Sequence, residues 1–70
     1  MMELTKEESR IINLMTEGYT VEQIAERMNL EKYIIGHRTH ALRKKYKCKT
    51  TIQLVVKYFR ENILQDETHY

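Results

Sequence analysis

The chain has no proline and only two glycines, Gly18 and Gly36, among its 70 residues. Sheet-rich small domains need turn residues at short intervals, so this scarcity argues against them and favours helices joined by short turns. A single cysteine, Cys48, cannot form an internal disulfide and points to a reducing compartment. No apolar run approaches the roughly 20 residues of a membrane span. The opening MMELTKEES is too acidic for a signal peptide, so a cytoplasmic location is expected. There is no glycine-rich phosphate loop, no carboxylate pair in an apolar pocket and no plausible triad, so no enzyme is expected. The last scarcity is of acid: residues 32–60 contain no Asp or Glu.

That gap gives the charge its shape. Residues 1–31 carry three bases and seven acids, residues 32–60 nine bases, and residues 61–70 three acids, so a formal charge of +2 conceals segments of −4, +9 and −3. A segment of this kind makes a positive face that attracts phosphates, while the acidic part limits indiscriminate binding. Seventy residues make one small domain with a thin core, expected over 1–70 with a frayed tail from about 65.

The spacing predicts an all-α domain of four helices, at about 6–17, 21–28, 32–46 and 51–64. Thr5 with Glu8, Thr20 with Gln23 and Thr50 with Gln53 have the spacing of capping boxes before helices 1, 2 and 4. Gly18 is the expected left-handed stop of helix 1. Ile11, Ile12, Leu14 and Met15 supply the buried stripe of helix 1, and Ile24, Ala25 and Met28 that of helix 2. A short turn at Asn29-Leu30-Glu31 joins helix 2 to helix 3, which is the spacing of a helix-turn-helix motif. In helix 4, Ile52, Val55, Val56, Phe59 and Ile63 cover a broad apolar face, and Leu54 and Tyr58 lie on another side. A helix apolar on two sides has two partners. The broad face is expected to pack on helices 1 to 3, and Leu54 and Tyr58 to meet a second protomer; the plainer alternative is that these two extend the core.

The chain is organised around helix 3. At about 100° per residue, Ile35, Thr39, Leu42 and Tyr46 share one narrow stripe, with Arg38 and Arg43 at its margins. The opposite side carries Tyr33, His37, His40 and Lys44, with Gly36 and Lys47 at one edge. Aromatic, imidazole and ammonium groups without a carboxylate suit a polyanion with readable edges, which is nucleic acid. The bland alternative is a solvated charged face. His37, His40 and Cys48 match no common zinc spacing and lack a fourth ligand, so no metal and no cofactor are expected.

The stretch LTKEESRIINLMTEGYTVEQIAERMNL resembles the first half of the LuxR/GerE-type DNA-binding domain. The resemblance lies in Leu4-Thr5 with a Glu-rich first turn, Gly18 before helix 2, the pair Ile24-Ala25, and Met28 three residues on; it extends without gaps to about residue 63. Glu31, Ile34-Ile35-Gly36, Arg38, Tyr46-Lys47 and Thr51 depart from the residues usual in the family. The resemblance implies a transcription regulator of the stand-alone, GerE-like kind, bound to double-stranded DNA, with helix 3 in the major groove and helix 4 pairing two protomers. It also places Gly36, His37 and His40 against base edges. Either histidine can donate to guanine N7 or O6, or accept from an exocyclic amine when neutral. Lys32, Tyr33, Lys44 and Lys47 are placed for phosphate oxygens, as is Thr20 at the positive start of helix 2. The competing expectation is a protein-interaction module whose basic face docks an acidic partner, a polymerase subunit or another regulator.

Overall fold

The computed structural model describes residues 3–62. Within them the chain forms four helices and no strand: α1 Lys6–Thr16, α2 Val21–Met28, α3 Lys32–Lys45 and α4 Thr51–Asn62. The expected bounds hold to within a residue or two for α1, α2 and α3. The tail from 65, the end of helix 4 near 64, and Ile63 lie outside the described residues.

The starts of α1 and α2 follow from the predicted boxes. The Thr5 hydroxyl accepts from the Glu8 N–H at 3.0 Å, and the Glu8 carboxylate accepts from the Thr5 N–H at 2.9 Å. Thr20 and Gln23 repeat the exchange at 3.2 and 2.9 Å. The third box is only half made. The Thr50 hydroxyl accepts from the Gln53 N–H at 3.0 Å, but the Gln53 carbonyl accepts from Lys49, one residue further back, at 2.9 Å. Glu31 precedes α3 without any side-chain cap bond.

The three turns share one device. Each of the first three helices ends with paired bonds back into its last turn: Gly18 to Met15 and Tyr19 to Leu14, Asn29 to Glu26 and Leu30 to Ala25, Lys47 to Lys44 and Cys48 to Arg43. This is the Schellman closure, which needs a left-handed residue just past the helix. Gly18 (φ 94°), Asn29 (φ 56°) and Lys47 (φ 56°) take that place. Glycine does so freely and asparagine tolerably; a lysine there carries a steric cost of about 1–2 kcal/mol.

The core joins Ile11, Ile12 and Met15 of α1, Ile24 and Ala25 of α2, Ile35 and Leu42 of α3 with Tyr46 at its end, and Leu54 and Tyr58 of α4. The stripes expected for the first three helices are those that pack. Helix 4 requires a correction. Leu54 and Tyr58, expected at a protomer interface, are core residues of this chain, 0% and 7% exposed, whereas Ile52, Val56 and Phe59 are 77%, 43% and 37% exposed. The larger apolar face therefore points outward. Both sides of α4 are apolar, so hydrophobic periodicity cannot choose between them. The choice goes with what Tyr58 meets: its hydroxyl donates to Asn13 Oδ1 of α1 at 2.8 Å, and its ring lies edge-on to Tyr46 at 6.3 Å. Leu54 belongs to the same core, and among the described residues of the broad face only Val55 packs against it.

Candidate nucleic-acid interface

α3 packs its stripe of Ile35, Thr39 and Leu42 inward and leaves the far side open. Thr39 is buried without penalty because its hydroxyl donates to the Ile35 carbonyl at 2.8 Å. Tyr33, Gly36, His37, His40, Lys44 and Lys47 are all exposed. The side of α3 expected to face a polyanion is thus the free side. Tyr33 is 65% exposed and lies edge-on to the His37 ring, 6.2 Å between centroids and 85° between planes.

The nine bases of residues 32–60 divide by partner. Three of them meet carboxylates of α1 and α2. Lys45 donates to Glu8 Oε1 at 2.7 Å, Arg38 pairs with Glu7, and Lys32 reaches Glu22 Oε2 at 3.2 Å. Glu8 is 5% exposed and serves both the cap of α1 and Lys45. Burial pushes its carboxyl up, but the bond from Lys45 and the Thr5 N–H outweigh this and hold it below the ordinary value. Glu7 holds the Arg38 guanidinium above its ordinary value. Arg38 and Lys45 are therefore ties between α3 and α1, on the margin away from Gly36. Sequence reasoning placed Arg38 beside the buried stripe but found neither pairing, because no local spacing connects α1 to α3. Lys32 is a different case. Its bond to Glu22 joins two exposed side chains, worth roughly 0–1 kcal/mol, and a phosphate can replace it.

Among the other expected contacts, Lys44 and Lys47 are exposed and make no ion pair with another described residue. The Thr20 oxygen accepts its capping bond and keeps its own hydroxyl proton free to donate from the start of α2. Gly36 is exposed within the helix, and a Cβ built there would meet nothing within 4 Å. Among the described residues no packing calls for glycine at a place where it costs ~1 kcal/mol relative to alanine. Lys47 raises the same question with the opposite sign, since it holds the left-handed position that glycine would fill more easily. Lys47→Gly is expected to stabilise the fold by about 1 kcal/mol in urea titrations. A midpoint unchanged or lowered by the substitution would mean that the left-handed turn costs lysine nothing.

Arg43 is a residue whose part the sequence did not reveal. Its guanidinium spans two helices: Nη1 donates to Thr51 Oγ1 at 3.2 Å, and Nη2 lies 3.4 Å from His40 Nδ1. The spacing of three residues between His40 and Arg43 was a usable signal for the second contact. Cys48 is half-buried, with its thiol 3.4 Å from the Tyr46 carbonyl, and among the described residues no group of three or more His, Cys, Asp or Glu is placed to hold a metal ion. No helix among them is long and apolar enough to cross a membrane.

Two helices joined by a tight left-handed turn, the second with a buried stripe and an open basic side, define a helix-turn-helix domain. The family model of bacterial regulatory proteins, luxR family, matches residues 2–58, most of the chain. The chain belongs to that family, and with it to the helix-turn-helix DNA-binding transcription regulators. No curated protein and no solved structure matched the chain.

Proposed function

We propose that the chain binds double-stranded DNA sequence-specifically as a homodimer and regulates transcription in the cytoplasm. α3 lies in the major groove, with Gly36, His37 and His40 at base edges. Thr20, Lys32, Tyr33, Lys44 and Lys47 hold phosphates on either side. The observation that carries this reading is the division of charge on α3: the carboxylate-bound cations Arg38 and Lys45 lie toward α1, while no carboxylate among the described residues is bound to the His37–His40–Lys44 side. A helix of about 10–12 Å diameter fits a groove about 12 Å wide, and backbone contacts fix its register while base contacts select sequence.

The test compares single variants on a preferred and a scrambled duplex. His37→Ala or His40→Ala should cost ~1–3 kcal/mol on the preferred site and little on the scrambled one. Lys44→Ala should weaken both alike. Equal losses on both duplexes for all three variants would count against base reading by the histidines.

Dimer formation is assigned to α4, now through Ile52, Val56 and Phe59 rather than Leu54 and Tyr58. The three lie along one side of the helix, and a shallow groove edged by Lys47, Gln53, Lys57 and Arg60 continues that surface. Apolar side chains on a helix that already has a core face are the usual mark of a second partner. Two protomers paired there would present two recognition helices to half-sites about one helical turn apart. Phe59→Glu should leave the helical spectrum unchanged and halve the sedimentation mass. An unchanged mass would take this face out of the interface.

A second reading keeps the fold and changes the partner: the basic groove beside α4 docks an acidic surface of a polymerase subunit or another regulator. Arg60, which with Lys47 and Lys57 edges that groove, is what favours it. Discrimination between preferred and scrambled duplexes separates the two readings.

A further inference from the structure

We propose that Arg43 determines which base His40 selects: it holds the imidazole with its proton on Nε2, so that His40 presents a hydrogen-bond donor to the groove and favours guanine. The inference rests on the reading of α3 as the base-facing helix.

Arg43 follows His40 by three residues and is half-buried where α3 meets the start of α4. Its Nη1 donates to the hydroxyl of Thr51, the first residue of α4, at 3.2 Å. That bond anchors one edge of a planar guanidinium and leaves Nη2 3.4 Å from His40 Nδ1. A guanidinium has five N–H donors, no acceptor, and does not lose its proton in proteins. The nitrogen that faces it must therefore offer a lone pair. In the neutral ring the single proton then sits on Nε2, across the ring from Arg43, on an exposed side chain.

This removes one of the two roles otherwise open to His40. As an acceptor it would take a proton from the amine of cytosine or adenine; as a donor it seeks base acceptors. Guanine alone offers two adjacent acceptors on its major-groove edge, N7 and O6. Adenine places an amine beside its N7, thymine offers a single acceptor, O4, beside its methyl group, and cytosine offers only an amine. Among the described residues His37 has no comparable partner: its ring meets the edge of Tyr33, a contact that does not choose a tautomer. The two histidines thus differ in kind, His40 preset as a donor and His37 free to be either. Arg43 is a positioning residue in this scheme, acting on the base through His40.

The tautomer is read directly from long-range 1H–15N spectra of the labelled chain near pH 8, where an ordinary imidazole with pKa about 6.5 is neutral. His40→Gln assigns the signals. His40 of the parent should show a protonated Nε2 and an unprotonated Nδ1. In Arg43→Glu an acceptor stands where the donor stood, and Nδ1 should become protonated. Arg43→Met, which keeps an apolar stem, gives the same comparison if the glutamate is not tolerated: a form protonated at Nδ1 should appear. A parent ring protonated at Nδ1, or a His40 signal indifferent to both substitutions, overturns the proposal.

On DNA, selection from a random pool should give the parent a guanine preference of about two- to tenfold, the worth of one hydrogen bond, at the one position whose preference His40→Ala abolishes. Arg43→Met should flatten that position and leave the others. A parent preference for cytosine there overturns the proposal. Failure of every variant, and of the parent, to enrich any sequence would overturn the reading of α3 and the guanine assignment with it, while the spectrum of the free protein still decides the tautomer.

Discussion

Leu54→Ala should unfold much of the domain at 37 °C, whereas Phe59→Ala should leave its stability close to that of the parent. Leu54 is fully buried among the side chains of the core, while Phe59 lies on the open side of α4. Removing a buried leucine to the β-carbon costs about 2–5 kcal/mol, because transfer energy is lost and the cavity only partly collapses. A 70-residue domain has a total stability of about 3–10 kcal/mol, so the substitution removes a large part of it. At roughly 4–8 °C per kcal/mol, the thermal midpoint should fall by ten degrees or more. Thermal unfolding followed by circular dichroism decides the matter, provided protein concentration is held constant, since a dimer's midpoint depends on it. The reverse ranking, with Phe59→Ala the more damaging at low concentration, would mean that α4 is docked by its other face.

The second large effect is on salt. In the proposed dimer, Lys32, Lys44 and Lys47 of two protomers place six ammonium groups at phosphates. Each neutralised phosphate contributes about −0.9 to the slope of log K against log salt, so the slope should lie near −5. Raising salt from about 50 to 200 mM should then weaken binding by roughly 10³-fold. Lys44→Ala should reduce the slope by about two, one contact per protomer. Arg38→Ala should change it much less, because Glu7 already accompanies that charge. A slope unaffected by Lys44→Ala and strongly reduced by Arg38→Ala would place the DNA on the wrong margin of α3.

Much of this molecule was legible in its sequence because much of it is local. Caps at Thr5 and Thr20, the glycine stop at 18 and the stripe of Ile35, Thr39 and Leu42 depend on spacings of three to four residues, and the folded chain has them. The turn at Lys47 was less legible, since a lysine gives no sign that it will adopt a positive φ. Glu8 read as a capping residue only; its bond to Lys45 spans 37 positions and closes only when α1 and α3 pack. The orientation of α4 was the larger miss. Its two apolar sides are indistinguishable by period, and the bond from Tyr58 to Asn13, 45 positions apart, has no signature along the chain. On the outer face, the spacing identified His37, His40 and Lys44 as exposed neighbours. What it did not supply was the part of Arg43, placed only at the margin of the stripe, in connecting one of those histidines to the helix that follows.

The most direct test of base reading by the outer face of α3 is selection of bound duplexes from a random pool at near-physiological salt, with the protein shown to be folded. A recovered motif in two parts, centred about one helical turn apart, is the predicted result, and its symmetry would report how the protomers are arranged. A folded protein that retains duplexes without enriching any sequence would contradict sequence reading by α3 and shift the basic surface to a protein partner.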